Sequence, residues 1–334
     1  MMGNPLAGRR VLFAGPRFFG YDNDIVAEIE RRGATVVRIY DRPFATPFMT
    51  AVTKVAPGVI ARAALSGYRA ILAAEEAFDL IFVVNGQTLS SDFLEEVRRH
   101  SPQAPRVLYI WDSLDNRGSI IPNLPRYDRV LGFDRIDTQR YGFEYRPLFF
   151  VPAFDHADKV SGAETDYDIS FIGTAHSDRA PIVHGLDATL DPDVRRFWYL
   201  FLQAPWVRRY YALKSRSFAR VPASQFHYRS ISKSDVGAVF HRSRAILDIE
   251  HPQQRGLTMR TFETIGAGKK LVTTNVHVVH EDFYHPDRVL VIDRTRPRID
   301  PEFLRSPTPP LDPALRMRYS LAGWLNEITA GVGL

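Results

Sequence analysis

Short apolar runs and amphipathic stretches alternate along most of this chain. The first run, RRVLFAGP, carries Val11, Leu12, Phe13 and Ala14 in succession and stops at Gly15. A short apolar run closed by a turn residue predicts a strand buried on both faces. NDIVAEIERRG follows, with Ile25, Val26 and Ile29 at helical spacing and Gly33 where a helix C-cap belongs. ATVVRIYD reads as a second strand, so β-α-β is complete within about forty residues, the opening unit of a doubly wound sheet. YRAILAAEEAFDLIFVVNG predicts a helix and then a buried strand ending at Asn85-Gly86. SSDFLEEVRRHSPQ is a capped helix, with Ser90 or Ser91 as N-cap and acidic residues in its first turn. PRVLYIWDS and YDRVLGFD are two further strands.

The pattern breaks in YRPLFFVPAFDHADKVSGAETD, rich in Pro, Gly and Asp as an interdomain connection is, and then restarts. YDISFIGT is a strand that reaches Gly173; SDVGAVFHRSRAILDIE is a helix and strand; RTFETIGAGKKLVTTN is a helix, turn and strand; DRVLVIDR is a strand. A length of 334 residues also exceeds one ordinary core. The expected organisation is a Rossmann-like domain over 1–150, a linker over 151–167, and a second Rossmann-like domain over 168–315. The helical tail 316–334 is expected to pack back towards the first domain. Two such α/β domains facing a central cleft bring the C-terminal ends of both sheets to one ligand site.

Composition narrows the chemistry. With no cysteine, disulfides, thiolate zinc sites and cysteine nucleophiles are excluded. No secretory signal pattern opens the sequence and no window holds the run of about 18 apolar residues that a membrane span requires, so the chain reads as soluble and cytoplasmic. The net charge of +5 fits phosphates, anionic lipid or nucleic acid as partners, or a mildly basic surface without a partner.

The stretch RGLTMRTFETIGAGKKLVTTN, residues 255–275, is the least ordinary. Arg260 and Glu263 lie one helical turn apart and can share a face. A helix that begins near Leu257–Thr258 turns its positive end and backbone N–H groups outward, a seat for phosphate. Glu263 could accept from a ribose diol, and Arg260 could offer its fork to a diphosphate. The same spacing also suits a plain intrahelical ion pair.

The longer string AILDIE…RGLTMRTFETIGAGKKLVTTN…EDFYHPDRVLVID, residues 245–293, resembles the C-terminal donor-binding motif of GT-B glycosyltransferases, most of all their CgeB-like branch. A weaker likeness extends to YDISFIGTAHSDR and GPRFFGYDNDI. The resemblance implies an α/β fold of GT-B type and a nucleotide-sugar co-substrate, with no cofactor and no metal. It implies that Glu263 holds the ribose, Arg260 faces the diphosphate, and Gly173 and Thr174 let backbone approach the phosphates; Thr258, at the expected helix start, is counted with the donor-binding candidates. Arg179 would add a cation. Many retaining members carry two glutamates separated by seven residues, the second aligning with Glu263. The first then falls on Arg255, which breaks the pair and leaves retention or inversion of the sugar open; Arg255 is counted with the donor-binding candidates.

A catalytic base would come from the first domain. Asp112, at the end of LYIWDS, and Asp22, after the first strand, are the candidates; each could equally cap a turn or helix. DND at 22–24 and DPD at 191–193 read as caps and turns rather than metal sites, and His277, His280 and His285 lack metal-ligand spacing.

RRFWYLFLQAPWVRRYYALKSRSFAR, residues 195–220, interleaves rings with cations. Trp198, Trp206, Arg208, Arg209 and Tyr210 are candidates for contact with an anionic membrane surface. A helix pair facing the core, with its arginines reaching back to solvent, explains the composition as well. Nucleic acid is not expected, since no recognisable RNA or DNA module appears. The reading is a metal-independent glycosyltransferase of surface polysaccharide biosynthesis, with a glycan or lipid-linked acceptor, placed in the cytoplasm or peripherally on the inner membrane face. The alternatives are a catalytically silent nucleotide-sugar-binding protein and a nucleotide-sugar epimerase of the same fold.

Overall fold

The computed structural model describes residues 6–41, 57–155 and 165–333, without side chains at 57–61 and 63. Residues 156–164 of the expected linker lie outside the described residues. Two compact units emerge: the described residues up to Pro147 join those from Leu321 on, and Leu148–Ser320 form the second.

In the first unit six parallel strands pair in the order β2-β1-β3-β4-β5-β6. They are β1 (Arg10–Gly15), β2 (Thr35–Tyr40), β3 (Leu80–Val84), β4 (Arg106–Ile110), β5 (Arg129–Gly132) and β6 (Glu144–Tyr145). All five residues of β3 are buried, as a central parallel strand covered on both faces requires. Helix Tyr21–Arg31 ends before Gly33, whose φ of +88° supplies the left-handed turn that its side chain-free backbone allows. Helix Leu321–Thr329 belongs here by its contacts. Trp324, fully buried, packs its ring against Tyr109 and Phe82, and Arg129 donates to the carbonyls of Glu327, Ile328 and Ala330 at the helix end. Helix Pro313–Tyr319, by contrast, is part of the second unit.

The second unit also has six parallel strands, in the order β12-β11-β10-β7-β8-β9. These are β7 (Tyr167–Thr174), β8 (Arg196–Phe201), β9 (Phe226–His227), β10 (Ser243–Asp248), β11 (Lys270–Thr273) and β12 (Val289–Val291). Counted within the unit this is the doubly wound order 3-2-1-4-5-6, with its direction of winding reversing between β7 and β10. In the first unit the reversal falls between β1 and β3. Residues 196–201 form an edge-proximal strand rather than the first half of a helix pair. Period-two alternation sends Trp198 and Leu200 to the core side, while Phe197 and Tyr199 stack with each other on the opposite face.

Candidate functional site

Ligands of doubly wound sheets bind beyond the carboxyl ends of the strands at the winding reversal. In the second unit that point is framed by Gly173 and Thr174 at the end of β7, Asp248 to Glu250 at the end of β10, and the start of helix Met259–Gly266. Thr258 caps this helix, its hydroxyl accepting from the Arg260 N–H at 3.1 Å and donating to Asp248 Oδ2 at 2.8 Å. Thr261 donates to the same oxygen at 2.7 Å. Burial raises the Asp248 carboxyl above its ordinary range, against the two hydroxyl bonds and the charges of Arg179 and Arg260.

The two arginines are stapled to strand-end carbonyls. Arg260 donates from Nη2 to the Ile172 carbonyl at 3.0 Å and from Nη1 to Glu263 Oε2 at 2.6 Å. Its guanidinium lies 4.8 Å over the Phe240 ring. Glu263 is buried, at 3% exposure, so the ion pair is internal and not a solvated helix-face pair. Arg179 donates from Nε to the Ile249 carbonyl at 2.6 Å and from Nη1 to the Thr174 carbonyl at 3.4 Å, tying the ends of β7 and β10 together. Its burial lowers its pKa. Arg255 is exposed, and its carbonyl accepts from Asn275 at 3.2 Å.

Thus Gly173, Thr174, Arg179, Thr258, Arg260 and Glu263 surround one switch point, and Arg255 lies on the loop leading into it. Asp248, Glu250, Arg294 and His176 also stand here, none of them among the candidate residues read from the sequence. Asp248 and Glu250 close the buried run AILDIE, and acids at the end of such a strand are the unused signal for them. Arg294 bridges Asp178, at 2.7 Å, and Glu250, while Thr274 donates to Glu250 at 2.5 Å. His176, in the loop after β7, is held near pKa 4 by burial and then by the Arg179 and His251 charges. The adjacent Ser177 sits at φ +52°, a left-handed conformation that non-glycine residues rarely adopt.

In the first unit Asp112 follows β4, one strand beyond the reversal between β1 and β3. Its Oδ2 accepts from Asn85 Nδ2 and Arg117 Nε, both at 3.0 Å. Asn85, at φ +62°, also accepts the Trp111 N–H at 3.0 Å, so one side chain positions the whole end of β4. Asp22 is buried in the first turn of helix Tyr21–Arg31, where it accepts the Phe18 N–H at 3.3 Å and fixes the loop after β1; Gly20, not Asp22, is the N-cap. Among the described residues no three His, Cys, Asp or Glu side chains gather as a metal site, and no helix is long and apolar enough to cross a membrane.

Of the ring-and-cation candidates, Trp198 packs on the core and donates its indole N–H to Asp187 at 2.8 Å. Arg208 lies over the Phe226 ring at 5.6 Å and donates to the Val221 carbonyl at 3.4 Å. Trp206, Arg209 and Tyr210 are exposed.

No family model matches the sequence, and no curated protein matches it. Solved structures do resemble it across nearly its whole length. Anabaena Alr3699/HepE, solved in complex with UDP-glucose, shares 10% identity at a TM-score of 0.55, with 96% of this chain and 98% of that chain covered. A glycosyltransferase from Rickettsia africae ESF-5 shares 12% identity at a TM-score of 0.52, covering 97% and 99%. S. aureus MnaA, solved with UDP, shares 10% identity at a TM-score of 0.50, covering 95% and 91%. At such identities the likeness is one of fold, and the α/β architecture expected from the sequence, of GT-B type, is the one observed.

Proposed function

We propose that the chain is a glycosyltransferase that takes its sugar from a nucleoside diphosphate donor bound at the β7/β10 switch point of the second unit. The observation that carries this reading is the convergence there of a capped helix N-terminus, two arginines and a buried glutamate. The glycine-containing end of β7 adds backbone that a phosphate can approach. HepE and MnaA, similar to this chain in fold, were solved with uridine diphosphate groups, which supports a uridine donor. Glu263 is assigned to the ribose and Arg260, with the Thr258 end of the helix, to the diphosphate. Asp112, positioned by Asn85 and Arg117, is proposed as the base that takes the proton of an acceptor hydroxyl as it attacks the anomeric carbon and the nucleoside diphosphate departs. The transfer is proposed to need no metal or cofactor, with a glycan or lipid-linked acceptor of surface polysaccharide synthesis.

Calorimetric titration with UDP, GDP and ADP tests the donor half. UDP is expected to bind, with Glu263→Ala and Arg260→Ala each costing about 1–3 kcal/mol, the loss of a charged hydrogen bond in a buried site. Absence of binding by every nucleotide, or unchanged affinity in both variants, sinks the assignment. A second reading, a nucleotide-sugar-binding protein without turnover, draws on the cation at Arg255. UDP-sugar binding without transfer to any acceptor would establish it instead.

A further inference from the structure

Helix Pro205–Lys214 has two apolar sides. Val207, Tyr211 and Ala212 pack on the core of the second unit and fix the helix in place. Trp206, Tyr210 and Leu213 face the other way and are 68%, 46% and 90% exposed. At 3.6 residues per turn these three fall within an arc of about 60°, with Arg209 on one flank and Lys214 on the other. Lys214 lies 4.4 Å over the Tyr210 ring and donates to its hydroxyl. Neither cation meets a carboxylate among the described residues. Residues 194–234 hold nine Lys or Arg and no Asp or Glu; of these, Arg195 and Arg196 pair with Asp168 and Asp187.

We propose that this face docks on an anionic lipid bilayer. Three exposed apolar side chains on one arc, flanked by cations at headgroup height, have the composition of an interfacial helix. The most exposed of them, Leu213, is aliphatic; it suits acyl chains and gives a nucleic-acid base nothing to stack on. A symmetric pairing of two copies through this face would oppose two cationic patches with no carboxylate to meet them. A bilayer with anionic headgroups meets both the charge and the apolar stripe. The helix is already folded and anchored on its inner side, so little ordering cost opposes docking.

Full-length protein co-sedimented with vesicles of phosphatidylglycerol in phosphatidylcholine, and of phosphatidylcholine alone, tests the proposal. At least tenfold tighter partition onto the anionic vesicles is expected, weakening as salt rises. Arg209→Ala with Lys214→Ala should lower it roughly 25-fold, about fivefold for each cation. Trp206→Ser with Leu213→Ser should lower it at least tenfold while the melting temperature stays at that of the wild type. Equal partition onto both vesicles, partition onto neither, or wild-type partition by these variants overturns the proposal. Oligonucleotide binding or self-association that the same variants abolish, without vesicle binding, overturns it as well. Glu263→Ala should keep vesicle binding intact, so failure here and failure of the donor site are told apart.

Discussion

The turn GAG at 266–268 is built for one neighbour. A Cβ placed on Gly266 would stand 2.4 Å from Cγ of Phe150 and 2.6 Å from its Cδ2. Carbon pairs rest at about 3.5–4.0 Å, so the ring must retreat by more than 1 Å. Phe150 cannot easily do so, being buried, with its backbone N–H bonded to the Tyr319 carbonyl at 2.9 Å. Two effects of Gly266→Ala therefore oppose each other. Alanine gains about 1 kcal/mol in helix propensity; overpacking costs about 3 kcal/mol at so short a contact. The net expectation is a loss of about 2 kcal/mol, or roughly 4–8 °C in melting temperature for a unit of this size.

Thermal and urea denaturation followed by circular dichroism would measure it. A double-mutant cycle isolates the contact, because Phe150→Ala removes the ring atoms the new methyl would meet. In that background Gly266→Ala should become neutral or stabilising, a coupling of about 3 kcal/mol. Wild-type stability for Gly266→Ala, or an equal cost in both backgrounds, would refute the steric reasoning.

Two further perturbations follow from polar groups shielded from solvent, the half-buried His176 and the buried Asp41. The His176 imidazole titrates near 4 in the folded chain against 6.5 unfolded, so the unfolded state binds more protons between those values. Stability therefore rises with pH through that window and is lost as pH falls from 6.5 towards 4, by about 1–2 kcal/mol once solvent screening is allowed for. His176→Gln should flatten this slope in urea melts from pH 4.5 to 7, and an unchanged slope would rule His176 out as its source. Buried Asp41 accepts from the Thr88 N–H at 2.7 Å, the Thr88 hydroxyl at 3.0 Å and the Gln87 N–H at 2.9 Å. Asp41→Asn turns an amide N–H towards one of these donors and should cost about 3 kcal/mol of stability, whereas a loss below about 1 kcal/mol would show the loop re-pairs.

How far the sequence carried depends on the range of the interactions concerned. The strand YDISFIGT is observed over the same residues, 167–174, because a continuous apolar run closed by a turn needs no distant partner to be recognised. The helix start expected near Leu257–Thr258 was equally local, and the helix begins at Met259 with Thr258 as its cap. What could not be read was pairing. That Arg260 bonds the Ile172 carbonyl depends on β10 lying beside β7, a fact of strand order with no local signature. The two lysines of GAGKK look like a charged turn, yet Lys269 and Lys270 are buried, donating to the His241 carbonyl at 2.7 Å and the Phe303 carbonyl at 2.5 Å. RRFWYLF was misleading for the opposite reason: rings and cations at both strand and helix spacing hid an alternation that only the core side of Trp198 resolves.

The internal pairing of Arg260 with Glu263 bears on what a ligand has to do at this site. Arg260 is already paired with the buried Glu263, so an arriving diphosphate finds a partly neutralised cluster rather than a bare cationic pocket. It must compete with Glu263 for one arm of Arg260, and that competition costs affinity unless the glutamate gains a partner in exchange. A ribose diol is such a partner and bare pyrophosphate offers none. Glu263→Ala should therefore weaken UDP, which loses its ribose contact, while leaving pyrophosphate unharmed or tighter, since Arg260 is released. If both ligands weaken alike, Glu263 serves only to hold Arg260 in place; if both tighten alike, it is only a competitor. The opposite signs for the two ligands, measured on one variant, separate a donor-binding glutamate from a helix ion pair.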